Sequence, residues 1–389
     1  MTTTSAPVDS RRLLGPVPDV PLPHLDAPQL IALVEEAGLT GRGGAGFPTA
    51  RKLTSVAGHS PVVVGNAMEG EPLSAKDAVL LTHAPGLVVD GLSLVGAAVR
   101  ARRIVLAIGP RIPTDRVRAA ARGTRVEVEQ HEGGFVAGQE SALVNLLDGR
   151  PGVPSDPLVP VYRKGVGGRP TLVLNAETLA QVALLARYGA GWFRALGTPS
   201  DPGTFLATLS ATSPATMRTP GVVEVPRGTP LRVVLDAAGT DLSRVRAVLV
   251  GGYHGAWVPP AELDVLITRD DLARFGASPG AGILQALDRD TCPLEHAATV
   301  ATYLARHSAR QCGPCVNGLP RLADGLRRLA VPGVDAGVAA EVDRVRQLVR
   351  GRGACAHPDG TARFVASTLQ VFADHVEQHL EGDCDAGTR

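Results

Sequence analysis

Two groups of residues could do chemistry. The first is Gly38–Lys52, with Gly38, Gly41, Gly43, Gly44 and Gly46 inside nine positions, then Phe47 and Lys52. Glycines let a backbone take φ > 0 and approach a ligand closely. Such a loop running into a helix offers free N–H groups to a phosphate, with the Lys52 ammonium beside it. The same composition also describes a flexible surface loop. No strand is expected before it, which disfavours a standard dinucleotide fingerprint. The second group is Cys312-Gly-Pro-Cys315, with Cys355 further along. A CxxC pair suits a thiol redox pair, a zinc site or an iron–sulfur cluster.

The elements that must position these residues can be read from periodicity. Asp26 can cap a helix with Pro28 in its first turn, and Leu30, Leu33, Val34 and Ala37 mark one buried face that ends at Gly38. Strands are expected at Val62–Val64, Ile104–Ile108, Arg125–Val128 and Thr171–Leu174. Helices are expected at Gly86–Arg100, Thr114–Ala121, Gly138–Leu147 and Leu179–Tyr188. This alternation predicts an α/β layer with a largely parallel sheet. Residues 203–265 read as a small α+β module, with strands Thr204–Leu209, Gly221–Val225 and Ala247–Val250 around a helix at Leu231–Ala237. Beyond about 280 the pattern is helical, at Leu294–Ser308, Leu319–Leu329, Ala339–Val349 and Thr361–Leu380.

Composition narrows the function classes. The 389 residues carry a net charge of +1, so no charge argument points to nucleic acid or a membrane surface. With 3% aromatic residues, a base-stacking platform is disfavoured. No run of about 18 apolar residues occurs, so no membrane insertion is expected. The first thirteen residues lack an apolar signal region, and five cysteines in a chain this long fit metal or redox use better than a disulfide framework. The expected location is cytoplasmic.

Ordered motifs add a resemblance. Gly38–Lys52 resembles the flavin loop G-x-x-G-R-G-G-A-G-F-P-T-x-x-K of the NADH-binding flavoprotein subunit of respiratory complex I, and every fixed position is present. That family includes the flavin subunits of NAD-linked hydrogenases and formate dehydrogenases. Gly65–Pro72 with Lys76-Asp77 resembles C-N-A-D-E-x-E-P…K-D. Gly134–Leu143 resembles G-A-Y-x-C-G-E-E-T-A-L, and Gly168–Thr171 with Asn175–Thr178 resembles G-K-P-T…N-N-V-E-T. The likeness runs from about residue 28 to 380.

The resemblance implies a Rossmann-like FMN- and NADH-binding α/β domain at 26–200 after an extended arm at 1–25. It further implies a β-grasp domain at 201–270 and a helical iron–sulfur domain at 280–389. By the same resemblance, FMN is held by Gly41, Gly43, Lys52, Asn66, Gly138, Glu140, Asn175 and Thr178, within motifs that include Arg42, Gly44, Gly46, Phe47 and Gln139. Glu69 and Glu71 stand where the family has acidic groups near flavin and nicotinamide, and are the expected catalytic carboxylates. The implied activity passes electrons from NADH through FMN to a cluster and a partner, either a thioredoxin-like 2Fe-2S subunit or a ferredoxin. A flavoprotein scaffold that is non-catalytic, or reduced by a ferredoxin-type donor, is the alternative.

The departures are specific. Met68, Phe135, Gln139 and Leu174 replace the family's Asp, Tyr, Glu and Asn, and no aromatic stands at Leu53–Val56 or Leu158–Pro160. Each lost stacking partner costs on the order of 1 kcal/mol. FMN binding is thus better preserved than NADH binding. Ala309 stands where the family's first cluster cysteine would be, leaving Cys312, Cys315 and Cys355 as metal ligands.

Four-iron clusters take four thiolates. Three outcomes stay open. The site could hold a 4Fe-4S cluster with a substitute ligand or a 3Fe-4S form; a zinc ion on the three cysteines and His357; or nothing. His307, His357 and Cys384 are the candidate substitutes. Cys292, about 20 Å away by helix rise, reads as a small buried residue. Cys384, in a polar tail, reads as a thiol rather than a ligand. His375 belongs to no recognised metal spacing.

Overall fold

Four parallel strands make the first sheet: β1 (Val62–Ala67), β2 (Arg103–Ile108), β3 (Val126–Gln130) and β4 (Thr171–Asn175), in the order β3-β2-β1-β4. The computed structural model describes residues 12–16, 19–155 and 159–386. Of the arm expected over 1–25, residues 1–11 and 17–18 lie outside the described residues, as does Leu158 in the aromatic-free stretch.

The helices of this layer are α1 (Ala27–Ala37), α2 (Thr49–Thr54), α3 (Lys76–His83), α4 (Pro85–Ala98), α5 (Thr114–Ala121), α6 (Glu140–Leu147) and α7 (Ala176–Arg194). Strands buried on both faces read as apolar runs, as β1 and β2 do. The expected cap on α1 is present: Asp26 accepts from the Gln29 N–H at 2.9 Å, the Gln29 side chain accepts in return from the Asp26 N–H, and Gly38 closes the helix at φ 68°. The short helices α2 and α3 carry no clear periodic signal in the sequence.

The second sheet is mixed, in the order β6-β5-β9-β7-β8, from β5 (Thr204–Ala211), β6 (Gly221–Pro226), β7 (Val245–Val250), β8 (Ala256–Val258) and β9 (Ile283–Asp288). It packs on α8 (Leu231–Ala237), and the short α9 (Arg269–Leu272) lies in the β8–β9 connection. Its central strand, β9, pairs parallel with β5 and antiparallel with β7, so the small module reaches past residue 270. Arg12, Leu13 and Leu14 donate their N–H groups to the Glu224 carboxylate on β6, and the Arg12 guanidinium lies 3.8 Å from the Trp192 ring centroid.

The helical region comprises α10 (Pro293–Arg306), α11 (Leu319–Leu329), α12 (Gly337–Val349), α13 (His357–Val371) and α14 (Ala373–Glu381). The last two are one expected helix broken at Phe372. These helices share a core with Trp257 of β8, whose Nε1–H donates to Thr368 at 3.1 Å.

Among the described residues no single helix is long and apolar enough to cross a membrane. The pair α3 and α4 passes together on length and composition, bent by 94°. The apolar side chains of α4 are buried in the core of the first layer.

Candidate functional site

The glycine loop closes on itself. The Gly41 N–H donates to the Phe47 carbonyl at 2.9 Å, and Thr40 bridges Pro48. Gly44 and Gly46 take φ of 108° and 61°, backbone that side chains rarely adopt. The Arg269 guanidinium reaches over from α9 to the Ala45 carbonyl at 2.9 Å, where a Cβ on Gly46 would stand. Phe47 is 45% exposed, an apolar ring presented at the loop's edge.

Asn66 and Asn175 join three loops at the carboxyl ends of β1 and β4, where open α/β sheets bind ligands. Asn66 Nδ2 donates to the Gly138 carbonyl at 2.8 Å, and its Oδ1 accepts from the Met68 N–H. Asn175 caps α7, accepting from the Glu177 N–H at 3.0 Å, while its Nδ2 donates to Asp77 at 3.0 Å and to the Asn66 carbonyl at 3.3 Å. Lys52 of α2 pairs with Glu140 at the start of α6 and donates to the Val173 carbonyl at 3.2 Å.

Two expected ligand residues turn out to brace the loop instead. Thr178 is fully buried, and its hydroxyl accepts the Arg42 N–H at 2.9 Å. The Arg42 guanidinium, 2% exposed, points to Thr40 and to the Pro202 carbonyl, with Asp201 3.9 Å away.

The two acidic residues separate in role. Glu69, at φ 38°, accepts from Ser74 Oγ and the Asp77 N–H on one oxygen, and from the Ala78 N–H on the other. Its carboxylate therefore caps the start of α3. Burial, then the Asp77 charge, raises its pKa. Glu71 accepts the Tyr253 N–H at 3.2 Å on Oε2, while its buried Oε1 has no partner. Burial pushes Glu71 up to about 7, against the Tyr253 and Leu73 N–H groups and the Arg111 charge. Arg111 fastens this loop, donating to the carbonyls of Ser74, Glu69 and Glu71.

A buried ion network lies beneath. Lys76 Nζ stands 2.8 Å from Asp77, 3.0 Å from Glu177 and 3.1 Å from Asn175 Oδ1. The two carboxylates hold the Lys76 pKa above its usual value despite burial. Glu177 also accepts the Leu206 N–H of β5 at 2.9 Å, linking the two sheets. Glu177 and Arg111 escape a reading of the sequence alone, because neither signals a long-range partner.

These features fit a flavin phosphate and ring. The loop backbone can approach a ligand closely, Lys52 supplies a cation, Phe47 presents an apolar face, and one buried carboxylate oxygen is unsatisfied.

The three cysteines converge from two segments. Cys315 lies in a single π-helical turn, Pro314–Gly318, that runs into α11; Cys355 precedes α13. Such turns are frequent at functional sites. Cys312 bonds to Cys315, and each lies within electrostatic range of Cys355. Burial would raise Cys312, but the Ala354 and Cys315 N–H groups and the Cys315 side chain outweigh it and hold this thiol below its ordinary value. Burial, then bonding to Cys312, pushes Cys315 up to about 12. Gln139, the cap residue of α6, bonds to the Cys355 sulfur.

Zinc on these cysteines and His357 does not fit. His357 Nε2 lies 2.9 Å from the Leu304 carbonyl and Nδ1 lies 3.0 Å from His254 Nε2. A carbonyl only accepts, so Nε2 carries the hydrogen and Nδ1 accepts from His254; neither nitrogen is open to a metal. Nor do Cys312, Cys315 and Cys355 belong to the one group whose ligand atoms all lie within 4.8 Å among the described residues. One ion needs such closeness; three sulfurs around a multi-iron core stand further apart. Of the other substitutes, Cys384 lies at a different cluster of side chains, and the His307 ring stacks on Tyr303 with centroids 4.0 Å apart.

Comparison with known proteins gives the same two halves. A family model described as the Nuo51 FMN-binding domain matches residues 34–184, and one described as the NADH-ubiquinone oxidoreductase-F iron-sulfur binding region matches residues 295–379. The chain is 30% identical to the second of the F subunits of the NADH-quinone oxidoreductase of Rhizobium meliloti, over 91% of this chain and 89% of that one. It is 30% identical to the HndC subunit of the NADP-reducing hydrogenase of Solidesulfovibrio fructosivorans, over 91% of this chain and 76% of that one. Among solved structures it is similar to a chain of the air-oxidized NAD+-reducing [NiFe]-hydrogenase. The TM-score is 0.81 at 31% identity, covering 93% of this chain and 64% of the hydrogenase chain, so that larger chain is matched over less than two thirds of its length.

Proposed function

The chain belongs to the family of NADH-quinone oxidoreductase F subunits, and from that premise we propose how its residues divide the work. It is an oxidoreductase subunit of the kind that holds FMN and an iron–sulfur cluster and takes electrons from NADH. FMN supplies the conversion of a two-electron hydride transfer into single-electron steps. Residues 26–200 hold it, the second sheet braces the loops, and the helical region from about 290 holds the cluster.

In this reading the backbone of Gly41–Gly46 and the Lys52 ammonium receive the phosphate. Asn66 and Asn175 fix the loops that face the ring, together with Gly138 and Glu140. Thr178 and Arg42 hold the glycine loop in shape from behind. Glu69 orients the loop from the start of α3, which leaves Glu71 as the carboxyl able to hold or release a proton near neutral pH. Cys312, Cys315 and Cys355 hold the cluster, with His307 the remaining candidate among the side chains considered for the fourth position. The observation that carries the proposal is the meeting of the α6 cap and the cluster segment through Gln139 and Cys355. Relatives of this chain are named as subunits of larger enzymes. The partner here is proposed to be a thioredoxin-like 2Fe-2S subunit or a ferredoxin, in the cytoplasm.

A second reading has one observation in its favour. Met68, where the family carries Asp, is 2% exposed and packs with Val64, Ala137 and Leu143. A polar contact near the nucleotide is thereby replaced by core, as in a flavoprotein reduced by a ferredoxin or kept as a scaffold. The test is anaerobic reduction of the full chain reconstituted with FMN. Bleaching of the flavin by NADH supports the first reading; bleaching by a reduced ferredoxin alone, or by neither, supports the second.

A further inference from the structure

Cys292, His375, His379 and Cys384 bring their ligand atoms within 4.8 Å of one another, away from the three cluster cysteines. The sequence alone casts Cys292 as a small core residue and Cys384 as a thiol outside any site; the structure instead gathers both into one cluster. His375 and His379 are one helical turn apart on α14, so both rings leave the same face. Gly382, at φ 91°, ends that helix and turns the chain back, bringing Cys384 to the same place. Cys292 arrives from the cap position of α10.

The spacing is that of ligands around one ion. Cys292 Sγ is 3.5 Å from His375 Nε2 and 3.6 Å from His379 Nε2, and Cys384 Sγ is 3.8 Å from His375 Nε2. A tetrahedral zinc with sulfur at roughly 2.3 Å and nitrogen at roughly 2.05 Å sets S···N separations of about 3.5 Å. Two cysteines and two histidines can also bind a two-iron cluster, but there they sit on different irons and stand further apart.

The surroundings fix the rings for this use. His379 Nδ1 lies 3.1 Å from the Leu329 carbonyl, so it carries the hydrogen and leaves the Nε2 lone pair facing the sulfurs. His375 Nδ1 stands 3.1 Å from the Asp385 carboxylate, at ion-pair distance though not in hydrogen-bond alignment, and Arg246 of β7 holds Asp385 at 2.9 Å. A histidine tied through its second nitrogen to a carboxylate or carbonyl is the usual outer arrangement of a metal ligand. Cys292, His375 and His379 are buried.

We propose that Cys292, His375, His379 and Cys384 form a structural zinc(II) site that ties the chain's end to the starts of α10 and α14. Two thiolates and two imidazoles in a closed tetrahedron, with no carboxylate among the ligands, select zinc over magnesium or calcium. The site holds the cluster region from behind and takes no part in electron transfer.

Metal analysis of the purified full chain tests this. Wild type is expected to carry about one zinc per chain. The Cys312→Ser/Cys315→Ser double variant loses iron and keeps zinc. Cys384→Ser and His375→Ala lose zinc, and circular dichroism of Cys384→Ser, a change near the chain's end, checks that the helices persist. Cobalt(II) added to the metal-stripped chain gives tetrahedral visible bands and a thiolate-to-cobalt band that falls to about half in Cys384→Ser. Wild type without zinc, zinc that follows Cys312 and Cys315, or iron bound at Cys292 and Cys384 overturns the proposal.

Discussion

The Gln139 side chain is hydrogen-bonded to the Cys355 sulfur, so the cap of the helix that begins beside Lys52 touches a proposed cluster ligand directly. Burial raises the Cys355 thiol, and the Gln139 contact opposes that rise. A hydrogen bond donated to a ligand sulfur stabilises the electron-rich, reduced cluster more than the oxidised one. Contacts of this kind are one of the levers on cluster potential. Gln139→Leu is therefore expected to make the cluster harder to reduce, with flavin affinity unchanged. Spectroelectrochemical titration reads the shift; an unmoved midpoint would show that the contact is incidental.

Glu71 gives a pH signature. Its folded pKa of about 7 stands above the usual 4.5 because of burial. A carboxyl raised on folding contributes stability that is whole below about 4.5 and lost as the pH rises through about 7. A shift of that size is worth about 3 kcal/mol. Thermal unfolding of the flavin-free protein should therefore fall in temperature between about pH 5 and pH 8. Glu71→Gln should flatten the fall and be the more stable protein at the alkaline end. Equal slopes in both proteins would assign the pH dependence elsewhere.

Gly70 separates the two acidic residues, and a Cβ there would overlap the Gly134 carbonyl oxygen. Backbone cannot yield as a flexible side chain can. Gly70→Ala should part the Glu69–Glu71 loop from the Gly134–Phe135 segment and weaken FMN binding at least about tenfold, equivalent to about 1.4 kcal/mol. Fluorescence titration with FMN measures it, and unchanged affinity would remove this loop from the site.

Lys76 balances Asp77 and Glu177 in the buried network. Lys76→Met leaves two carboxylates without their cation, which costs about 3–5 kcal/mol when a buried pair is broken. Urea denaturation should show the loss in its midpoint, and a midpoint close to wild type would mean the network is solvated.

Much of this is legible in the sequence because it is local. The Asp26 cap, Gly38, the glycine loop, the four strands of the first sheet and the CxxC turn depend on neighbours within a few residues. The illegible parts depend on partners far along the chain. Strand β9 is an apolar run whose role is set by β5 and β7 on either side. Glu69 reads as a site acid until α3 comes to rest on its carboxylate. His375 and His379 do carry a local signal, two histidines one turn apart with Cys384 five residues on. The decisive fourth group, Cys292, lies 83 positions before His375.

Anaerobic NADH titration of the reconstituted chain, read by flavin absorbance and by electron paramagnetic resonance on the same samples, tests the central claim most directly. The account predicts that NADH bleaches the flavin and that a reduced-cluster signal then appears, present in wild type and absent in Cys355→Ser. A flavin that NADH bleaches with no iron signal, or a chain that takes up FMN but is left oxidised by NADH, would contradict it.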